Sequence, residues 1–482
     1  MQKPKLLAVL GGEYSKKQFI KDLTSGFMIG ILAIPLSIAL AIASGVSPER
    51  GLYTAIIAGL AVSVLGGSRV QIDGPAAIFV IITYDIIQKN GYPALALAIV
   101  LAGVILILMG LMKLGNVIKY IPYPIITGFT SGIAMVIFVQ QIKDFLGLKI
   151  NKLPSGFFPM IGEYIKTIDT LSISSLMIGV ISLLVMISWP YINKKIPGAL
   201  VTIIISTGLV RLLGIRVETI GDRFGHMKFS PSFTVPQINP DMIAGVLPSA
   251  LTIALLICIE SLLSADVADG MTGDKHRPNT ELIVQGTANI FSGLFGGIPA
   301  AGSITQTVAN VRNGGRTPVT GIVYSLTILV TMLLFIPYAE IIPMPALAAI
   351  LMITAYKMSE WRVFINLFKA PKTDIAILLT TFVLTFIFNI RIAIEFGIIL
   401  AAFLFMKRMA DASRIEPIRD EIEANPDIAQ INPEGIDPSI QIFQIYGPFF
   451  FGAVNKFLNT IQENIAPTHV LIIRMKHVPF MD

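Results

Sequence analysis

The stretch Gln71-Ile72-Asp73-Gly74-Pro75-Ala76-Ala77-Ile78 separates two apolar blocks, and Gly296-Gly297-Ile298-Pro299-Ala300-Ala301-Gly302-Ser303 separates two others. Each places a Gly/Pro break directly before a short apolar segment. Proline lacks a backbone donor and clashes with the preceding turn, so a helix starts after it rather than running through it. Both short segments therefore read as half-helices whose N-termini lie inside the apolar part of the fold.

The blocks around them are membrane spans. Only 14% of the 482 residues are charged and 54% are hydrophobic, with a mean hydropathy of +0.76. A soluble domain carries about 25% charged residues, and a bilayer crossing needs about 20 apolar ones. This excludes a soluble enzyme, a disordered scaffold and an outer-membrane barrel, whose strands would alternate. The expected fold is an all-α polytopic membrane protein. Its +6 net charge fits basic cytoplasmic loops and not nucleic-acid binding. The single cysteine, Cys258, leaves no intrachain disulfide and no Cys-based zinc site, and it reads as packing. The four histidines show no ligand spacing, and no cofactor or structural metal is expected. No HExxH motif, Ser/His/Asp set or paired intramembrane aspartates point to an enzyme, and residues 1–22 lack the pattern of a cleavable signal peptide.

Fourteen spans are predicted. The first seven lie near Thr24–Ser44, Leu52–Gly66, Gly74–Gln88, Pro93–Met112, Pro124–Phe145, Ser172–Trp189 and Gly198–Leu213. The second seven lie near Ile243–Ser264, Thr280–Gly296, Pro299–Val311, Pro318–Pro337, Pro345–Tyr356, Thr373–Ile390 and Ala393–Met406. With both termini cytoplasmic, Lys113, Lys119, Lys194, Lys195, Lys275, Arg277, Arg312, Arg316, Arg362 and Lys369 all fall inside, as the positive-inside rule asks of a cytoplasmic-membrane protein. The short spans are third and tenth. Seven is odd, so the two groups are inverted relative to each other, and paired Gly/Pro breaks at matching positions point to a transporter site. The domains expected are a cytoplasmic segment at 1–23, a transport domain at 24–410 with repeats 24–214 and 243–410, a linker at 411–438 and an α/β fragment at 439–482. The fragment carries strands at Ile440–Tyr446 and His469–Met475 and a helix at Asn455–Asn464.

A helix N-terminus offers unsatisfied N–H groups and a partial positive charge, which suits an anion. Ala76, Ala77 and Ile78 open one half-helix, and Ala301, Gly302 and Ser303 open the other. Thr305 and Gln306 follow in the first turns of the tenth span, and Gln306 can hydrogen-bond an anion. Pro35 and Ser37 interrupt the first span and either wall the cavity or kink the helix. Asp73 either lines the cavity or caps the chain reversal. Glu260 is an acid within an apolar span, a functional candidate by default. It would take up H⁺, or Na⁺ with help from nearby oxygens; Ser264, one turn on, and Gly302 and Ser303 at the facing break are the candidates for these. The cluster Asp266, Asp269, Asp274, Lys275, His276 and Arg277 reads as a solvated loop more than as a metal site.

Several runs resemble the sulfate permease (SulP) family. They are Ser47-Pro48-Glu49-Arg50-Gly51-Leu52-Tyr53-Thr54-Ala55, Asp73-Gly74-Pro75-Ala76-Ala77, Glu260-Ser261-Leu262-Leu263-Ser264-Ala265, Val267-Ala268-Asp269-Gly270-Met271-Thr272-Gly273 and Asn310-Val311-Arg312-Asn313-Gly314-Gly315-Arg316-Thr317-Pro318. The resemblance implies a seven-plus-seven inverted repeat, a core domain moving against a gate domain, and a homodimer. It also implies an anion between the third and tenth spans, and an acid at Glu260 tied to H⁺ or Na⁺ coupling. Many members carry an arginine where this chain has Gln306, though bicarbonate-type members can lack it. The C-terminal fragment resembles the first part of a STAS domain. The function implied is coupled symport of sulfate, bicarbonate or a dicarboxylate; the alternatives are an uncoupled anion exchanger or channel, or a nucleobase permease of the same architecture.

Overall fold

A computed structural model describes residues 4–11, 14–116, 122–150, 152–193, 196–227, 230–231, 233–236, 239–388, 390–412, 414–417, 440–447, 458 and 470–479. They form two compact units, Met1–Ile394 and Glu395–Asp482.

The chain opens with α1 (Lys5–Leu10), α2 (Lys16–Ala43) and α3 (Pro48–Leu65). Strand β1 (Asp73–Pro75) and a 3₁₀ turn at Ala77–Phe79 lead into α4 (Val80–Leu111). Next come α5 (Tyr123–Gln140), α6 (Ile142–Leu146), α7 (Phe157–Lys166), α8 (Ile173–Ile192) and α9 (Gly198–Leu212), with α10 (Ile220–Phe224) in the connection. The second half is α11 (Pro240–Thr272), α12 (Pro278–Leu294), β2 (Ala300–Gly302), α13 (Ile304–Arg312) and α14 (Val319–Ala339). It continues with α15 (Met344–Met358), α16 (Trp361–Asn366), α17 (Lys372–Ile387) and α18 (Ile390–Ala412).

Every predicted span coincides with a helix, and the differences have local causes. The third and fourth spans are the two arms of α4, parted only at Gly91, whose φ of 74° and ψ of −178° break the helix two residues before Pro93. Helix α2 begins at Lys16 instead of Thr24, because Ser15 caps it by accepting the Gln18 N–H at 3.2 Å. That start carries Asp22 into the helix. The same helix runs on through Pro35 without ending there, so Pro35 and Ser37 do not interrupt it. The loop after α5 contains an amphipathic helix, α7, which buries Phe157, Met160 and Tyr164 against Val136 and Val139 of α5.

Packing follows the inverted repeat. Helix α2 of the first half packs on α14 of the second, and its counterpart α11 packs on α4. Helix α12 likewise packs on α4, and its counterpart α3 packs on α14. The remaining helices obey the same exchange, α5 against α17 and α8 against α15. Two groups result: α2, α3, α4 and α11–α14 form one, and α5, α8, α9, α15 and α17 the other. Where α4 crosses α12, a Cβ on Gly103 would lie 2.5 Å from the Gly286 carbonyl oxygen, so backbone meets backbone. In a bilayer, where lipid is as apolar as leucine, such small-residue contacts drive helix association.

In the second unit β3 (Arg414–Pro417) pairs antiparallel with β4 (Ile440–Tyr446), which pairs parallel with β5 (Val470–His477). Strand β3 falls within the stretch read as a linker. Residues 411–412 of that linker end α18, and 413, 418–438 and all of the expected helix but Leu458 lie outside the described residues.

Candidate functional site

The two breaks meet. Strands β1 and β2 form an antiparallel ribbon with Asp73 opposite Gly302, Gly74 opposite Ala301 and Pro75 opposite Ala300. The chain leaves β1 at Pro75 and β2 at Gly302, opposite ends of one ribbon, so both half-helices begin at it. A three-residue strand spans only about 7 Å and its partner lies about 4.8 Å away, so the positive ends of both helices start within one small volume.

Side chains from the surrounding helices clamp the ribbon. Asn289 of α12 accepts the Ala300 N–H and donates to the Ala300 carbonyl, each at 2.9 Å. Thr54 Oγ1 accepts the Ile298 N–H at 2.7 Å. Thr307 Oγ1 accepts the Ile72 N–H and the Ser264 hydroxyl, both at 3.1 Å. Each clamp meets a backbone group that neither helix nor ladder satisfies, and an unpaired buried donor would be costly. These residues carry no sequence signal of their own, and reasoning from sequence missed Asn289 and Thr307.

The tips differ in detail. At the first, Ala76 is extended (φ −117°, ψ 143°) and has no side-chain cap; the Phe79 N–H reaches the Ala76 carbonyl at 3.2 Å. The amides of Ala77 and Ile78 precede any helical acceptor. Ala76 and Ala77 are half-buried, and Ile78 is buried. At the second tip, the Gly302 N–H donates to Ser261 Oγ at 3.0 Å and the Ser303 N–H donates to the Ile72 carbonyl at 2.9 Å. The amides of these two predicted residues are thus engaged within the protein. Those of Ile304 and Thr305 head the helix, and Ser303 Oγ accepts from the Gln306 N–H at 3.4 Å. Ala301 is fully buried in the ribbon, the Thr305 side chain is exposed, and Gln306 is buried with its Oε1 unpartnered among the described residues. Ser37 is buried with an unpartnered Oγ.

A cavity of about 490 Å³ runs along α13, between Met28, Ile29 and Leu32 of α2, Pro197 ahead of α9, and Ile304, Thr305 and Val308. Its far end carries Arg312 and Asn313. That end lies on the face of the N-terminal segment, since Gln18 Nε2 donates to the Gly314 carbonyl at 2.9 Å. The cavity thus joins one half-helix tip to an exposed arginine.

Glu260 precedes Ser261, which accepts the Gly302 N–H, on α11. It is half-buried and makes no hydrogen bond or ion pair among the described residues, although Glu360, in the turn after α15, is within electrostatic reach. Ser264 turns away from it toward Thr307. The loop cluster is tied by its own contacts: His276 Nδ1 lies 2.8 Å from Asp269 and 3.8 Å from Asp266. Asp274 pairs with Lys5 and Arg69, each at 3.1 Å. Burial pushes its carboxyl up, but the Lys275 backbone N–H, Lys5 and Arg69 outweigh that and hold it below the ordinary carboxylate value.

The sulfate permease family matches residues 19–381. The Bacillus subtilis protein YvdB, named a candidate sulfate transporter, is 40% identical over 97% of this chain and 88% of its own length. The bicarbonate transporter BicA of Picosynechococcus sp. is 27% identical over 95% of this chain and 83% of its own. The solved transmembrane domain of a cyanobacterial BicA superposes with a TM-score of 0.71 at 26% identity, covering 81% of this chain and 98% of that one.

Proposed function

Because the chain belongs to the sulfate permease family of membrane anion transporters, we propose that it is a secondary active, cation-coupled transporter of a small oxyanion. The observation that carries this reading is the ribbon: it brings two half-helix N-termini to one place, and Ser261, which accepts the Gly302 N–H there, is the chain neighbour of Glu260, a carboxylate with no hydrogen bond among the described residues.

Each helix N-terminus presents about half a positive charge. Two together offer about one unit, and neither tip carries a lysine or arginine in its first turn. That matches a monovalent oxyanion such as bicarbonate, or sulfate accompanied by a cation. The Ala77, Ile78, Ile304 and Thr305 amides would donate to the oxyanion, and the Gln306 amide would complete the shell. An ionised Glu260 would repel that anion. A proton or Na⁺ at Glu260 removes the repulsion, so the two ligands favour each other's binding, which is what symport requires. The neutralised α2–α4/α11–α14 group then moves against the α5, α8, α9, α15 and α17 group. We place both termini in the cytoplasm, so that the cavity along α13 is the inward path and Arg312 draws anions to its mouth. The α/β unit is read as part of a STAS domain and the assembly as a homodimer.

The test is uptake of labelled bicarbonate and sulfate by proteoliposomes under an imposed Na⁺ or H⁺ gradient in turn. Concentrative uptake of one anion under one gradient, lost in Glu260→Gln, is expected. Flux that follows only the anion's own gradient would make the protein an uncoupled exchanger or channel, and competition by uracil would move it to nucleobase transport.

A further inference from the structure

Two further carboxylates lie inside the first group of helices, away from Glu260. Asp73 is in the ribbon and is 1% exposed, and Glu281 on α12 is fully buried. One amide bridges them: Gln285 Nε2 donates to Asp73 Oδ2 and, at 3.3 Å, to Glu281 Oε1. The remaining donors are divided unequally. Glu281 Oε2 accepts the Gly67 N–H at 2.9 Å, and the Ser68 N–H adds to it. Asp73 Oδ1 has only the Gln71 side-chain amide, at 3.1 Å.

No lysine or arginine pairs with either carboxylate among the described residues. At the Glu281 end, Arg277 opens α12 one turn before Glu281 with its backbone against Gly67, while Lys5 and Arg69 pair with Asp274; the other facing groups are neutral. Helix α14 presents Tyr324, and α3 and α4 present Ala58, Val62, Gly103 and Ile107. Beyond α11, His276 faces the Glu281 end but is already bonded to Asp269. Two like charges sharing one amide in a dry interior cannot both persist. The surroundings also have acceptors to spare: Gln71 Oε1 and Gln285 Oε1 have no partner among the described residues, with their amide nitrogens directed toward the acids. The Tyr324 hydroxyl is fully buried and has no partner among the described residues, and it lies 2.9 Å from where a side chain on Gly74 would begin, on the strand face opposite to the Asp73 side chain.

We infer that Asp73 is a proton-binding site: its carboxyl holds a resident proton, while Glu281 stays ionised on the Gly67 and Ser68 amides. Resting on the anion reading, the consequence is electrostatic. A protonated Asp73 leaves the ribbon neutral, and a bare carboxylate there would repel an anion at the half-helix tips. Asp73 is thus a positioning residue distinct from Glu260, and loss of its proton on the alkaline side switches the site off.

The test is infrared spectroscopy of the purified, substrate-free protein at neutral pH, which does not depend on transport. Wild type compared with Asp73→Asn should show the loss of one protonated-carboxyl C=O band; loss of a carboxylate band instead would overturn the proposal. If the Asn variant does not fold, Asp73→Ser reads the same group: the same protonated-carboxyl band should be lost, and its retention overturns the assignment. In liposomes, wild-type uptake should fall as pH rises above neutral and the fall should be flattened in Asp73→Asn. Parallel pH profiles would contradict the switch while leaving the transport reading intact.

Discussion

Asp22 and Glu260 are both acids within apolar helices, and their surroundings are opposite. Asp22 is fully buried on α2 and accepts from five donors: Tyr14 Oη (2.8 Å), Gln18 Nε2 (2.9 Å), the Arg316 N–H (2.9 Å), Thr317 Oγ1 (2.6 Å) and Thr320 Oγ1 (3.2 Å). It ties the start of α2 to the loop that opens α14. Glu260 has no such partner among the described residues and keeps part of its surface open. An acid whose acceptor sites are filled is a fastener. One left unfilled, next in the chain to the residue that holds a half-helix tip, is available to bind and release a cation. Exposure differs between the two, but the donor inventory is what assigns their roles.

The largest expected effect is on the fastener. Asp22→Ala leaves several buried donors without an acceptor, each costing about 1–3 kcal/mol, so the total is on the order of 3 kcal/mol or more. Thermal unfolding should show a large fall in melting temperature, and a variant as stable as wild type would break the contrast. Next comes Glu260→Gln. Its melting temperature should stay near that of wild type, within about 1 kcal/mol, while gradient-driven accumulation disappears. Retained accumulation removes Glu260 from coupling. A smaller effect is expected at the cavity mouth. Arg312→Ala should slow anion uptake a few-fold at low ionic strength, and the deficit should vanish at high salt, as for electrostatic steering; a salt-independent deficit would assign Arg312 a structural role. The smallest concerns Asp274. Its folded pKa lies below the unfolded value, so its stabilising contribution is present above the unfolded pKa and lost as pH falls through the folded one. Asp274→Asn should therefore narrow the stability gap between neutral and acid pH slightly, and an unchanged gap would mean that the Lys5 and Arg69 pairs contribute nothing.

The sequence revealed the spans because each bilayer crossing demands a long apolar run, and the Gly/Pro breaks because proline cannot sit inside a regular turn. It also exposed Glu260, since acids are rare in such runs. It did not reveal the ribbon: three residues per strand are too few to show alternation. The clamps were hidden for another reason. Asn289, Thr307 and Ser261 act by geometry across chain separations that no local pattern encodes. Asp22 read as part of a polar N-terminal segment, because nothing in Lys16–Asp22 shows that the helix has already begun. Gly302 and Ser303 were identified as tip residues, but the partners of their amides, Ser261 and Ile72, come from other elements.

The central claim is that backbone amides at the two half-helix tips hold the anion. Bulk at Gly302 is a poor probe, because even a Cβ there would strike the Gln71 amide and come within 3.2 Å of the Ser261 Cα. Proline is a better one. Ala77 and Ile304 each open a helical segment behind an extended residue, Ala76 (ψ 143°) and Ser303 (ψ 114°), which is the backbone a following proline requires. Ala77→Pro and Ile304→Pro thus each delete one free N–H and keep the helix. The decisive measurement is binding of labelled bicarbonate and sulfate to these variants, with melting temperature as the control. Each lost charge-assisted hydrogen bond is worth about 1.5–3 kcal/mol, so affinity for the transported anion should fall roughly tenfold or more in both variants while the fold is retained. Wild-type affinity in both would contradict the account.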